Sequence, residues 1–103
     1  MKFVLAYTTR EGSSAADNLK SAESAQKLLA NWTPSPSATI REWVQRCDGV
    51  GGFAVIETDN VKDLYRDLAI WSPWLQFDVH PVIEMLDAAT LNEEAIHVAT
   101  SVV

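Results

Sequence analysis

Cysteine is almost missing from this sequence, with Cys47 standing alone among 103 residues. One thiol cannot close an intrachain disulfide, so a cross-linked secreted scaffold is excluded and a cytoplasmic protein is expected. Histidine is nearly as scarce. His80 and His97 are the only two, and with Cys47 they show no metal-ligand spacing, so no metal is expected. Basic residues are outnumbered, 8 Lys and Arg against 14 Asp and Glu, for a net charge of −6. That deficit argues against nucleic acid, whose phosphates need a basic face, and against anionic membrane surfaces. No apolar run approaches the roughly 18 residues of a spanning helix. The N-terminal "MKFVLAYTTREG" carries one lysine and no small-residue cleavage site, and it alternates like a strand rather than a signal peptide. The few glycines build no phosphate loop: "DGVGG" joins two extended segments, without a following helix or a Walker lysine. No nucleophile elbow or triad is visible, and no cofactor is expected.

What is present is a chain with 48% hydrophobic residues, read as one domain over residues 1–103. So small a domain leaves much of its surface exposed, and pairing with a second copy would help it. "MKFVLAYTT" predicts a strand and "REGSS" a loop. From Ala15 to about Asn31 the spacing is helical: Leu19, Ala22, Ala25, Leu28, Leu29 and Trp32 recur at three- and four-residue steps, behind Ser13 or Ser14 as N-cap. Pro34 and Pro36 then forbid helix. "ATIREWVQRC" predicts a second strand, with Ile40, Glu42, Val44 and Arg46 on one face and Thr39, Arg41, Trp43, Gln45 and Cys47 on the other. After the "DGVGG" hairpin connection, "GFAVIET" is apolar on both faces, as in a central strand. Asp59 or Asn60 caps a second helix with Val61, Leu64, Tyr65, Leu68 and Trp71 in one stripe, ended by Pro73. "WLQFDVHPVI" predicts a fourth strand, with Leu75, Phe77, Val79 and Pro81 facing one way and Gln76, Asp78, His80 and Val82 the other. Asp87 or Thr90 opens a short tail helix, where Thr90 and Glu93 match a capping box.

The order is β-α-β-β-α-β plus a tail helix, an α+β, ferredoxin-like arrangement. Right-handed crossovers make strands one and three central in an antiparallel sheet, with both helices on one face. The other face has no cover within the chain. Either Phe3, Leu5, Phe53 and Val55 or Val4, Ala6, Ala54 and Ile56 are expected there, a patch of the kind that marks an interface. A twofold dimer, sheet against sheet, is the economical solution.

Three stretches carry a resemblance: "KFVLAYT", "REWVQRCDGVGGFAVIETDN" and "LAIWSPWLQFDVHPVIE". Within them the marks are Trp43, a third strand led by Gly52 and ending "ETDN", a helix-ending Trp71, and "PV" at Pro81–Val82. On these the chain resembles the dimeric α+β barrel superfamily, and more closely a family of short bacterial proteins known only as a domain of unknown function. The resemblance implies a homodimer. The closer family lends no reaction. The wider superfamily includes cofactor-independent monooxygenases, muconolactone-isomerase-like proteins, haem-dependent enzymes and stress-responsive proteins. The first helix and the loop after it match less well.

Candidate site residues follow from chemistry. Trp71, on the apolar stripe of helix two, reads as core or as the aromatic wall of a pocket between helix and sheet. Trp43, beside Arg41 and Gln45, suits a ligand pocket or a dimer contact. Asp78 and His80, two apart on a strand and about 7 Å from each other, are an acid–base pair or a solvated rim. Glu57 shares a face with Phe53 and Val55, and is either buried with a raised pKa or the exposed end of its strand. Tyr7 could bring a phenol to the same pocket. His97, with Glu93 and Glu94, suits a solvated helix face, and Cys47 lacks the cationic setting of a reactive thiol. The leading reading is a homodimer binding a small hydrophobic or aromatic molecule through Tyr7, Trp43 and Trp71. The alternative is a cofactor-independent monooxygenase- or isomerase-like enzyme with His80, Asp78 or Glu57 moving a proton. A structural dimer module without ligand is the third.

Overall fold

A computed structural model describes residues 1–10, 12 and 14–102. Its elements are β1 (Lys2–Thr9), α1 (Ala15–Asn31), β2 (Thr39–Gln45), β3 (Gly51–Glu57), α2 (Val61–Trp71), β4 (Leu75–Val82) and α3 (Met85–Val102). The strands form one antiparallel sheet in the order β2-β3-β1-β4. This is the expected ferredoxin-like layout with an extra C-terminal helix.

Local chemistry sets the element ends. Ser14 caps α1, its side chain accepting from the Asp17 N–H at 3.1 Å; Ser13, the other expected cap, lies outside the described residues. Asn60 caps α2 through the Lys62 N–H, also at 3.1 Å. Between β2 and β3 the turn closes with Gly49 at φ +74°, a left-handed value that glycine adopts without strain. Pro81 sits in β4, an edge strand paired only with β1, where a missing N–H is tolerated.

The register corrects the expected faces. Phe3 pairs with Ile56, Leu5 with Ala54 and Tyr7 with Gly52. Even positions of β3 therefore join odd positions of β1, and neither expected grouping occurs. The covered face carries Phe3, Leu5, Ala54 and Ile56, which pack with Leu64 of α2 as the core. The open face carries Val4, Ala6, Phe53 and Val55, and Phe53 there is 50% exposed. The two faces of β4 divide as expected: Phe77, Val79 and Pro81 lie opposite Tyr7, Leu5 and Phe3, while Asp78 and His80 lie opposite Ala6 and Val4 on the open face.

A second correction falls on β2. Its pairing shifts between Ile40, opposite Ile56, and Glu42, opposite Val55. Arg41 is the extra residue of a bulge, which reverses the alternation beyond it. Ile40 and Trp43, expected on opposite faces, thereby share the covered one.

The helices also differ from expectation. In α2 the inward residues are Leu64, Asp67 and Trp71, whereas Val61 and Tyr65 are exposed. No residue of α1 is fully buried; it leans over the end of the sheet near Thr9 and Leu75 instead of sealing it. The tail helix is not short. It starts at Met85, before either expected cap, and runs 18 residues with none buried. Thr90 lies inside it, donating to the Leu86 carbonyl at 3.2 Å instead of capping.

Candidate functional site

The bulge at Arg41 brings the aromatic residues together. Trp43 swings to the covered face and meets Trp71 from the last turn of α2, with ring centroids 5.7 Å apart and planes at 87°. Trp32, just past the end of α1, completes a triangle, 5.6 Å from Trp71 at 90° and 6.0 Å from Trp43 at 86°. Trp74 joins Trp71 at 6.4 Å. All four tryptophans of the chain are thus in one cluster, in the edge-to-face geometry that ring quadrupoles favour. The indole Nε1 groups of Trp32 and Trp71 are buried without a hydrogen-bond partner. Perpendicular packing offers a ring-edge N–H a neighbouring π face as a weak acceptor.

Tyr7 supplies the polar centre. Its hydroxyl accepts from Trp43 Nε1 at 3.2 Å and has one proton for two acceptors, the Val44 carbonyl at 3.0 Å and Gln45 Oε1 at 2.9 Å. Burial pushes the Tyr7 phenol above its ordinary pKa, partly opposed by the Trp43 hydrogen bond. Gly52 makes the arrangement possible. A Cβ there would collide with the Val44 carbonyl oxygen and the Tyr7 hydroxyl, so this strand position requires the bare backbone.

The rings wall two spaces. Inside, between α2 and the sheet, lies a cavity of about 40 Å³ bounded by the three triangle indoles, Leu5, Tyr7 and Asp67 among others. That is room for water, not for a substrate. Outside, between α1 and the end of the sheet, is an open cleft of about 600 Å³, within the usual range for small-molecule sites. Its floor is Tyr7, Trp43, Gln45, Trp71 and Leu75, and its roof is Ala22, Ala25, Gln26 and Leu29 of α1. Among the described residues, no Asp, Glu, Lys, Arg or His lines it. Tyr7, Trp43 and Trp71, the three expected ligand contacts, meet here. Trp71 is core, only 6% exposed, and it also borders the cleft.

The proton-transfer candidates lie elsewhere. His80 Nε2 and Asp78 Oδ2 are 3.1 Å apart, but on the open face, with side chains 58% and 75% exposed. Glu57 is on that face too, at the opposite end of the sheet from Tyr7. Its pKa is lowered, not raised: Arg41 Nη2 donates to Glu57 Oε2 at 2.9 Å and holds the carboxyl below its usual range, with Lys2 adding to the effect. Tyr7 and Glu57 therefore do not share a pocket. Lys2 also pairs with Glu84, which raises its pKa. Cys47 is exposed and free. Among the described residues no group of His, Cys, Asp and Glu could hold a metal ion, and no helix is long and apolar enough to cross a membrane.

Two participants escaped the sequence reading. Trp32 stood in the helical spacing of α1, yet nothing local placed it against Trp43. Asp67 was hidden on the apolar stripe of α2, three residues after Leu64 and four before Trp71. It is 5% exposed, and its carboxylate accepts from the Ser35 N–H at 3.0 Å and the Ser35 Oγ at 2.8 Å. Two residues on, Ser37 Oγ donates to Asp63 Oδ2 at 2.7 Å. These two contacts fasten the Ser/Pro loop after α1 onto α2, and so hold Trp32 in place.

A four-stranded antiparallel sheet with α2 packed on one face and an aromatic cleft between its end and α1 defines a ferredoxin-like α+β protein. The chain matches the family described as Domain of unknown function (DUF3303) over residues 1–96 and belongs to it. No curated protein matches the chain.

Proposed function

We propose that this protein is a homodimer that binds a small, uncharged aromatic or hydrophobic molecule in the cleft beneath α1. The observation that carries the reading is the convergence of Tyr7, Trp43 and Trp71 on an open cleft to which no described residue brings an ionised side chain. A flat apolar ligand would gain ring contacts there, while an ion would lose its hydration without a partner. Gln26 and Gln45 give such a ligand donors and acceptors for orientation. Dimerisation is favoured by the open sheet face, where Phe53 is exposed beside half-buried Val4, Ala6 and Val55. Binding without catalysis is favoured over the enzyme reading because Tyr7 is the one titratable side chain among the described residues that line the cleft. A cytoplasmic location suits a chain whose single thiol is free.

The test is a titration of tryptophan fluorescence with a panel of neutral aromatic compounds and their carboxylate and ammonium analogues. Saturable quenching by neutral members is expected, weakened at least tenfold in Trp43→Ala. Trp43 is 38% exposed, so that variant should retain its circular dichroism. No saturable change up to millimolar concentration, or unaltered binding by the variant, overturns the reading.

A further inference from the structure

No described residue of the tail helix α3 is fully buried in its own chain, and only at its start does Asp87 line a groove beside the sheet. The helix runs 18 residues, and the molecule is stretched to 63 Å along its longest axis against 29 and 21 Å on the others. Its sequence nevertheless carries an apolar stripe. Met85, Ala88, Leu91, Ala95, Val98 and Val102 recur at steps of three and four, and Asp87, Thr90, Glu94, His97 and Ser101 make the neighbouring polar stripe, about 100° round the helix. That spacing belongs to a helix with a buried face.

A helix this long is marginal in water without packing. This one contains β-branched Ile96, Val98 and Val102, and no lysine or arginine to pair with Glu93 and Glu94. Its apolar stripe needs a partner. Only Ile83 and Glu84 separate β4 from α3, and the helix extends away from the sheet along the 63 Å axis instead of folding back across it. Glu84 is held by Lys2, which pairs with Glu57 and Val82 on the open face. The helix therefore departs from the side of the open face.

We infer that α3 is an arm that packs its apolar stripe on a second copy of this chain stacked on the open sheet face, each copy embracing the other. This rests on the dimer proposed above, though not on the ligand. Area supports it. Four strands of seven or eight residues present roughly 19 by 25 Å, short of the ~800 Å² per partner in a standard interface. An arm ~27 Å long and ~10 Å wide supplies much of the difference.

Sedimentation velocity of the full-length chain between 1 and 100 µM tests the arm. Leu91→Glu with Val98→Glu changes two side chains that are 53% and 59% exposed in the single chain, so the fold of one copy is untouched. The wild type should be a dimer, and the double variant should dissociate at least 100-fold more readily. Phe53→Asp, on the sheet face, should dissociate as well. If Phe53→Asp dissociates while the double variant stays as tight as wild type, the arm is overturned and the sheet-to-sheet dimer stands. A wild-type monomer at 100 µM overturns both. Amide hydrogen exchange of the wild-type dimer is the second measure: slow exchange across 91–99 is expected, and exchange at the rate of an unstructured peptide refutes the arm. Each of these results leaves the fluorescence titration free to succeed or fail by itself.

Discussion

Truncating Trp71 to alanine reaches both the core and the cleft. The ring is 6% exposed and touches Trp32, Trp43 and Trp74. Removing the buried indole forfeits ~2–3 kcal/mol of transfer free energy. It also leaves a void on the order of 100 Å³, which at ~24 cal/mol per Å³ adds ~2 kcal/mol where the walls cannot collapse. Collapse is hindered here, because a cavity already adjoins the ring and the other indoles are held by separate elements. The expected loss is ~4–5 kcal/mol, a large part of the ~5–15 kcal/mol that a domain of this size has in total. Urea melts followed by far-ultraviolet circular dichroism would measure it, since that signal does not depend on the deleted fluorophore. Trp71→Phe is the companion variant. It keeps an aromatic ring and deletes a buried N–H that has no partner, so its loss should stay below ~2 kcal/mol. A change under ~1 kcal/mol in Trp71→Ala would refute the packing argument and leave Trp71 as a wall of the cleft alone.

The phenol of Tyr7 should titrate above the ordinary tyrosine value, because burial disfavours its anion. A folded-state pKa above the unfolded one means stability is fully present below the unfolded value and falls as pH rises through the folded value; alkaline melts and tyrosinate absorbance check this, and Tyr7→Phe should abolish the late absorbance phase. Asp67→Ala should cost ~2–4 kcal/mol by stranding the buried Ser35 N–H and hydroxyl, with Asp67→Asn losing less; equal losses, read by thermal melts, would count against the loop clasp. His80→Gln should leave both melting temperature and cleft binding unchanged, since His80 is exposed on the opposite face; lost binding at unchanged stability would return the acid–base role to the Asp78–His80 pair.

The element order was legible because each segment showed its period clearly: alternation in β1 and β4, three-and-four spacing in both covering helices, and prolines or glycines between. Faces were harder. Side-chain alternation tells which residues of one strand go together, but β1 and β3 are not joined by a hairpin, so their relative register is set by packing. That is why the sequence pattern alone groups Phe3 with Phe53 rather than with Ile56. Inside "TIREWV" nothing marks a bulge, as no glycine or proline interrupts it, and a one-residue slip carries every later side chain to the other face. The full extent of α3 is not visible in the sequence because Met85 and Leu86 precede every residue that looks like a cap.

The bulge matters most for the site. In an unbroken β2 strand with Ile40 in the core, Trp43 would point to the open face. Its indole would then leave Trp71 and Trp32, and the Tyr7 hydroxyl would lose its donor. The triangle therefore depends on backbone features as much as on aromatic side chains: the extra residue at Arg41 turns Trp43 inward, and Gly52 leaves room for Tyr7 to meet it. The Ser35–Asp67 contact then brings Trp32 over from the far end of α1. Each feature costs some local stability, through an interrupted ladder at Arg41, a strand glycine and a buried carboxylate. They lie on three different segments, yet they serve a single aromatic floor. A core needed only for packing could have been filled by aliphatic residues without these costs, and that difference favours a floor built to receive a ligand.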